Sequence, residues 1–323
     1  MDSKFDKKEA QSLIEPQKVV SGGALNTMVT DRDIYFFDLR GYLILQNILT
    51  AAEVKDLNDC LDSIPRLQPG EWYGAVHGHN YGGRDGLNYQ QVYEAGEPFE
   101  KLIDHPAWID KIKTFIGGQD THDAKLGPLF IDENFANFRG PGEAIGMHSG
   151  GEGCCKRTLY RVRGGKFMVG MVNVLLALSD IGSGDGATMV IPASHKQNFV
   201  HPDFAKCNGM DPDRASGDEC EGAIEVHLRA GDALLFTDTV CHGSARRTNP
   251  GERRIVVYRY GPSWAFFRHG YRPSHELLAR LTPERRQIVW PHAPFKREPN
   301  KNAAFREIDP GYPDPLRTTG ISG

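Results

Sequence analysis

The sequence lacks a strong excess of charge of either sign. Among its 323 residues, 38 lysines and arginines stand against 42 aspartates and glutamates, which gives a formal net charge of −4 at pH 7. Proteins that bind nucleic acid polymers or anionic membrane surfaces concentrate positive charge on one face. The balance therefore argues against a nucleic-acid-binding module, but it leaves room for a small anionic ligand held by a local basic cluster.

Long apolar runs and paired cysteine motifs are also missing. The longest apolar candidate, Phe167 to Leu178, is interrupted by Gly170 and Asn173 and is shorter than the roughly 20 residues of a membrane-spanning helix. The six cysteines show no C-x-x-C spacing, so the sequence predicts no zinc ribbon. The first ten residues are charged and lack the apolar core of a signal peptide. We therefore expect a reduced, cytoplasmic protein without a membrane span.

Hydrophobic patterning divides the chain into three parts of what we expect to be one domain, residues 1–323. Residues 30–120 show helical patterns and are predicted to form an N-terminal support with an active-site loop. Residues 125–262 contain short β-type runs separated by turn residues, a pattern typical of a jelly-roll sandwich or barrel. Residues 263–323 are predicted to form C-terminal helices and a tail. The predicted fold class is therefore mainly β with flanking helices.

Individual elements follow from the same patterns. The predicted strands are Tyr42–Leu49, Leu129–Phe138, Phe167–Leu178, Ala187–Ile191, Ala223–Leu228, Ala233–Thr237 and Ile255–Tyr260. The predicted helices are Ala51–Ile64 with Thr50 as N-cap, Pro98–Ile103, Pro106–Ile116, Ser274–Leu281 and Thr282–Val289. The irregular Gly-, His- and Tyr-rich segment Trp72–Tyr89 is predicted to be a loop over a site.

Two of the 12 histidines stand out by their surroundings. His242 follows an apolar strand and precedes Gly243, and Arg253 lies eleven residues further on, at the start of the next strand. A hairpin of that length would bring Arg253 close to His242. An imidazole that binds metal and a guanidinium that binds a carboxylate in bidentate fashion are what a 2-oxo-acid cosubstrate requires. His148 lies in a glycine-rich loop nearly a hundred residues earlier and could meet His242 only through folding.

The run from about Leu129 to Pro262 resembles the phytanoyl-CoA dioxygenase family of Fe(II)- and 2-oxoglutarate-dependent oxygenases. The resemblance rests on the order and spacing of the His148 loop, Leu178–Ala187, Ile191–Lys196, Gly231-Asp232, His242–Ser244 and Glu252–Arg254. It implies a double-stranded β-helix, which is a cupin-like jelly roll, with Fe(II), 2-oxoglutarate and O2 as cofactors.

The resemblance also implies roles for individual residues. His148 and His242 would bind the iron, while Arg253, assisted by Ser244, would hold the distal carboxylate of 2-oxoglutarate. Arg254 is the alternative anchor, because neighbours on a strand point to opposite faces. In the same family pattern Ser194-His195-Lys196 corresponds to a structural turn, so no ligand role is expected for His195.

One position departs from the family pattern. The usual motif is His-x-Asp/Glu, whose carboxylate is the third iron ligand, whereas this chain has His148-Ser149-Gly150. Gly150 resembles the arrangement in halogenases, where chloride occupies the vacated position, and chlorination is our first hypothesis. Hydroxylation is the second, with water or a displaced carboxylate, Glu152 or Asp238, at the third position. A binding protein without catalytic activity is the third.

Indications of the substrate are fewer. The segment His77–Tyr81 and the basic run Lys156–Arg163 are expected to flank the mouth of the barrel, and aromatic and basic side chains together suit a planar, anionic small molecule such as a nucleotide. Asn173, midway along a predicted core strand, would suit a hydrogen bond to 2-oxoglutarate if it faces the interior. The sequence does not indicate an oligomeric state.

Overall fold

Two antiparallel sheets form the centre of the molecule. The computed structural model describes residues 28–81, 85–117, 122, 126–150, 156–208, 217–265 and 271–291. Within these ranges the larger sheet has eight strands in the order β1-β12-β9-β14-β5-β4-β3-β2, and the smaller has four in the order β11-β10-β13-β6. β7 and β8 form a separate hairpin. This mainly β architecture confirms the predicted fold class.

The strands are short except for the two at the centre of the large sheet, β5 and β14. Their bounds are β1 Tyr42–Leu45, β2 Trp72–Tyr73, β3 Val76–His79, β4 Leu87–Gln90, β5 Leu129–Arg139, β6 Ile145–His148, β7 Tyr160–Arg163, β8 Lys166–Val169, β9 Val172–Ala177, β10 Thr188–Val190, β11 Ile224–Val226, β12 Ala233–Thr237, β13 His242–Ser244 and β14 Arg253–Pro262.

Seven α-helices accompany the sheets in the described part of the chain. They are α1 Asp31–Arg40, α2 Ala51–Asp62, α3 Glu97–Glu100, α4 Ile109–Ile116, α5 Phe204–Cys207, α6 His275–Arg280 and α7 Pro283–Val289. Thr50 caps α2 through a reciprocal capping box with Glu53, as its position predicted. None of the helices in the described ranges is long and apolar enough to cross a membrane.

Several elements differ from the sequence-based predictions. Trp72–Tyr89 was predicted to be a loop, but it contributes β2, β3 and the start of β4, because β4 pairs with the exposed edge of β5. The large sheet therefore extends beyond residues 125–262 into the N-terminal support. The predicted strand Phe167–Leu178 is divided into β8 and β9 around Gly170. Helix α1 was not predicted.

Both faces of the large sheet are buried, and successive side chains along each strand point to opposite faces. Leu176, Val256 and Tyr258 belong to the core beneath the helices, together with Leu57 of α2 and Phe115 of α4. Their neighbours along the strands belong to a second apolar core, which lies between the two sheets and includes Leu175, Ile255, Val257, Phe236, Val190 and Val226. Burial of each large apolar side chain contributes about 1.5–3 kcal/mol. The second core fixes the distance between the sheets, and the candidate site lies beside it.

His195 shows how the N-terminal helix is attached to this framework. Its Nε2–H donates to the carbonyl oxygen of Asp38 in α1 at 3.0 Å, while its Nδ1 is buried without a partner. Burial, together with the nearby charge of Lys196, lowers the pKa of His195 to about 4. The imidazole is therefore neutral in the folded protein, and it acts as a structural residue, as the resemblance implied.

We expect His195 to make folding stability depend on pH. The unfolded histidine takes up a proton below about pH 6.5, and the folded one does so only near pH 4, so stability falls as the pH decreases between these values. The free energy of unfolding, measured with urea, should be lower at pH 4.5 than at pH 7. This decrease should be larger in the wild type than in His195→Gln by on the order of 2–3 kcal/mol. His275→Gln, at an exposed position, should behave as wild type. Equal losses in all three proteins would contradict this prediction.

Candidate active site

Two histidines face each other where the small sheet ends. His148 closes β6, His242 opens β13, and the two residues are partners in the antiparallel register. Their ring centroids are 4.1 Å apart, and Phe236 of the large sheet packs edge-on against His242 at 4.9 Å. Folding therefore brings together two histidines that are nearly a hundred residues apart in the chain.

Hydrogen bonds fix the same tautomer in both rings. Nδ1 of His148 lies 3.0 Å from the Gly146 carbonyl oxygen, and Nδ1 of His242 lies 2.7 Å from the Val240 carbonyl oxygen. Because a carbonyl oxygen can only accept, Nδ1 carries the proton in each ring and Nε2 keeps its lone pair. Burial lowers the pKa of both side chains. Two neutral imidazoles with oriented Nε2 atoms fit a divalent metal ion.

A guanidinium group lies at the other end of β13. Arg253 is buried and faces the interior, where it donates to the carbonyl oxygen of Gly186 and to the Ser244 hydroxyl at 3.2 Å. Its Nη2 donates to Asn137 Oδ1 at 2.9 Å. Ser244 lies two residues beyond His242 on β13, so the spacing of a strand separates the two by roughly 7 Å. This distance suits a dicarboxylate that reaches from the histidine pair to Arg253.

Arg139 is a second buried guanidinium that the sequence analysis did not identify. It ends β5 directly opposite Arg253 in the strand register, and it donates to the same Ser244 hydroxyl at 2.6 Å. Burial, with the charges of Arg139 and Arg247, lowers the pKa of Arg253 to about 9. Burial, with the charge of Arg247, lowers the pKa of Arg139 to about 10. No carboxylate of the described residues forms an ion pair with either group. Two guanidinium groups that share one hydroxyl and form no direct ion pair fit the distal carboxylate of 2-oxoglutarate.

Arg254 lies on the opposite face of β14. Its guanidinium pairs with Asp62 of α2 at 2.8 Å and with Glu252 at 3.2 Å, and it contacts Asn58. It therefore belongs to the layer of helices outside the sheet. Of the two adjacent arginines, Arg253 alone faces the barrel interior.

A buried carboxylate, Asp238, lies close to the histidine pair. Its negative charge partly offsets the effect of burial on the pKa of both His148 and His242. Its oxygens accept from Asn173 at 3.1 Å, from Arg259 at 3.4 Å and from Arg157. Asn173 thus faces the interior, which the sequence had left open, and its amide nitrogen donates to Asp238. Glu152, the other candidate carboxylate, lies outside the described residues.

The glycine of the His-x-Gly motif is in a left-handed conformation with φ of +66°. A Cβ atom added to Gly150 would lie 2.5 Å from Cys241 Cβ and 3.1 Å from Cys241 Cα. The Cys241 side chain belongs to an apolar cluster with Met189 and Phe204, whereas His242, its neighbour on the chain, faces the interior. In this conformation a side chain at position 150 would point toward that apolar cluster.

The expected mouth region contains an aromatic cluster. Trp72 stacks on His77 with ring centroids 4.4 Å apart, and His77 is hydrogen-bonded to the Tyr271 hydroxyl at 2.7 Å. Tyr81 contacts Phe135 at the edge of the interior core. Within the basic run, Arg157 turns inward to Asp238, whereas Arg161 and Arg163 on β7 are exposed.

We expect Gly150→Ala to destabilise the protein more than Gly164→Ala does. Gly164 has a similar φ of +59° but nothing within 4 Å of an added Cβ, so its substitution measures only the backbone strain, about 1 kcal/mol. At position 150 the contact with Cys241 should add roughly 1–3 kcal/mol. Urea unfolding of the two variants measures this difference, and equal losses would show that the methyl group is accommodated.

Comparison with known proteins places this arrangement in context. The dioxygenase FUM3 of Gibberella moniliformis is 26% identical over 258 residues, which cover 75% of this chain and 77% of FUM3. The dioxygenase cdmD of Talaromyces verruculosus is 31% identical over 126 residues, 37% of this chain and about a third of the length of cdmD (35%).

Solved structures support the fold. HygX from Streptomyces hygroscopicus, crystallised with nickel and 2-oxoglutarate, superposes with a TM-score of 0.59 at 22% identity, over 74% of this chain and 89% of HygX. The sequence model of the phytanoyl-CoA dioxygenase family matches residues 37–255, which is more than half of the chain. The chain therefore belongs to the phytanoyl-CoA dioxygenase family, whose enzymes are Fe(II)- and 2-oxoglutarate-dependent oxidoreductases of the dioxygenase type.

Proposed function

We propose that this protein is an Fe(II)- and 2-oxoglutarate-dependent hydroxylase of a small molecule. In this proposal His148 and His242 bind the iron, and Arg253, Arg139 and Ser244 hold the distal carboxylate of 2-oxoglutarate. The observation that carries it is the pair of buried guanidinium groups, which lie opposite each other without a carboxylate partner among the described residues. Burial of such a pair is costly unless an anion completes it.

Each part of the site has a separate task. When bound, Fe(II) and 2-oxoglutarate supply the activation of O2 that oxidation of an unactivated C–H bond requires. The carbonyls of Gly146 and Val240 orient the two imidazoles. The guanidinium pair fixes the orientation of the cosubstrate along β13, and the apolar core between the sheets restricts the entry of water.

Hydroxylation is preferred to chlorination because the packing gives Gly150 a role that does not involve a halide. Any side chain there would collide with Cys241 in the present backbone conformation, so glycine is required for steric reasons. The buried carboxylate of Asp238 supplies negative charge near the histidines from another part of the chain. Chlorination, which the His-x-Gly motif predicted, is the alternative that the experiments below distinguish.

A small-molecule substrate agrees with what the related structures contain. HygX has been crystallised with nickel, 2-oxoglutarate and hygromycin B together. In this chain the aromatic cluster of Trp72, His77 and Tyr271 lies where a substrate would enter. A nucleotide-like substrate, which the basic run predicted, gains little support, because Arg161 and Arg163 are exposed on a surface hairpin.

We expect Arg253→Gln to lose the preference for 2-oxoglutarate over 2-oxobutyrate, which lacks the distal carboxylate. KM for 2-oxoglutarate should rise by roughly tenfold or more, since a charge-assisted bidentate contact is removed, while KM for 2-oxobutyrate should change little. Arg254→Gln is the matched control because its side chain lies on the other face of β14. The assignment of the anchor would be wrong if Arg254→Gln, and not Arg253→Gln, changed this preference.

Fe(II) and 2-oxoglutarate added anaerobically should produce a visible charge-transfer band that chloride does not shift. Under O2 with chloride present, succinate formation should depend on both histidines, so His148→Ala and His242→Ala should abolish it, whereas His275→Gln should not. Mass spectrometry of the oxidised substrate, after turnover under labelled O2, should then find the labelled oxygen in that substrate. A chlorinated product, or a band that responds to chloride, would favour the halogenase. Succinate formation that survives either histidine substitution would overturn the metal-site assignment.

A further inference from the structure

A second group of metal-binding side chains lies on the outer face of the small sheet. His201, Cys207 of α5 and Cys220 each place one ligand atom so that all three atoms lie within 4.8 Å of one another. Both cysteines are buried, with exposed fractions of 1% and 5%, and both are free thiols. Soft thiolate sulphur together with imidazole nitrogen is the donor set of structural zinc sites.

The orientation of His201 is the one that a metal ligand needs. Its Nε2 lies 3.1 Å from the Glu221 carbonyl oxygen, so Nε2 carries the proton and Nδ1 keeps a lone pair. That lone pair accepts only the backbone N–H of Asp203, at 3.1 Å. Histidines that bind metals typically donate their other ring N–H to a carbonyl or carboxylate in this way. The ring is therefore held in the correct tautomer before a metal arrives.

The surroundings supply further donors and exclude water. Burial raises the pKa of the Cys220 thiol, and Cys207, Cys241 and Asp203 lie close enough to raise it further. Phe204 and Met147 complete the apolar side of the cluster. A tetrahedral zinc ion with Zn–S distances of about 2.3 Å needs donors a little under 4 Å apart. The present spacing therefore requires a contraction of only about an ångström.

We propose that His201, Cys207 and Cys220 form a structural zinc site, with Cys241 or Asp203 as the fourth ligand. The zinc replaces the proton of each thiol that it binds, and the protons pass to solvent. The site is separate from the histidine pair of the proposed active site, but Cys241 directly precedes His242. It joins α5 and the turn before β11 to the outer face of β13. The three ligands are not spaced along the sequence as a C-x-x-C motif, so the sequence did not predict a zinc site.

Cobalt(II) tests this proposal, because cobalt bound to thiolate shows an intense near-ultraviolet charge-transfer absorption that cobalt bound to imidazole and carboxylate lacks. The full-length protein, reduced and freed of metal, would be titrated with Co(II), and zinc would then be added to displace it. We expect one equivalent of thiolate-bound cobalt in the wild type and in His148→Ala/His242→Ala. Cys60→Ser, at a distant free cysteine, should also bind one equivalent.

The ligand variants decide the assignment. Cys207→Ser and Cys220→Ser should lose the absorption, and His201→Gln, which alters only a partly exposed side chain, should weaken cobalt binding by roughly tenfold or more. In the His148→Ala/His242→Ala background, which lacks the histidine pair, zinc should raise the melting temperature, and it should not do so once Cys207 or Cys220 is also replaced by Ser. Absence of the absorption in the reduced wild type, or its persistence in His201→Gln and Cys207→Ser at unchanged affinity, would overturn the proposal. So would a Cys207–Cys220 disulphide that forms in air despite saturating zinc.

Discussion

The mutual repulsion of Arg139 and Arg253 is the constraint around which the barrel interior is organised. The two guanidinium groups end up opposite each other because β5 and β14 pair in one register along the seven residues Arg253–Arg259, before the register shifts at Tyr260. Like charges in that position destabilise a sheet, and burial adds a desolvation cost. Neutral acceptors offset part of this cost, among them Ser244, Asn137 and the carbonyl oxygens of Gly186 and Glu143. These neutral acceptors do not supply negative charge, whereas a bound dicarboxylate would supply it.

The opposite end of the barrel interior contains buried negative charges instead of buried positive ones. Asp238 and Glu133 are buried carboxylates, and Arg259 lies between them, 3.0 Å from Glu133 and 3.4 Å from Asp238. Arg157 also pairs with Asp238, so two arginines face two carboxylates and the charges are paired within the protein without a ligand. The histidine pair lies between two ends of the barrel interior. The end with Arg139 and Arg253 lacks an anion, and the charges of the end with Asp238 and Glu133 are paired. In the proposed function, this polarity would favour one orientation of 2-oxoglutarate, with its far carboxylate toward Arg253.

The sequence was informative where a feature depends on neighbours along the chain. Thr50 caps α2 as predicted, whereas Ser274 and Thr282, predicted as the first residues of two helices, are the N-caps of those helices. The predicted hairpin between His242 and Arg253 was wrong, because β13 and β14 lie in different sheets, but the short separation in sequence still brings Arg253 to the Ser244 end of β13. Alternation along β14 also explains why Arg253 and Arg254 have different environments.

Features that depend on pairing between distant segments could not be predicted. β4 becomes a strand because β5 offers it an edge, and its own sequence does not require this. Arg139 acquires significance only opposite Arg253, and His201, Cys207 and Cys220 converge from segments without a common motif. In each case the local residues are compatible with several environments, and the register or packing of another segment selects one of them.

Gly150 shows that a missing side chain can have two physical explanations that a motif does not separate. In the chemical explanation, a ligand has been removed to leave a coordination position open. In the steric explanation, the left-handed backbone and the contact with Cys241 exclude any Cβ atom. The two differ in direction, because the first requires the absent side chain to point at the metal and the second has it point at the outer face of β13. The geometry here follows the second, so the identity of the transferred atom has to be sought in the charges around the histidines, of which Asp238 is the nearest described source.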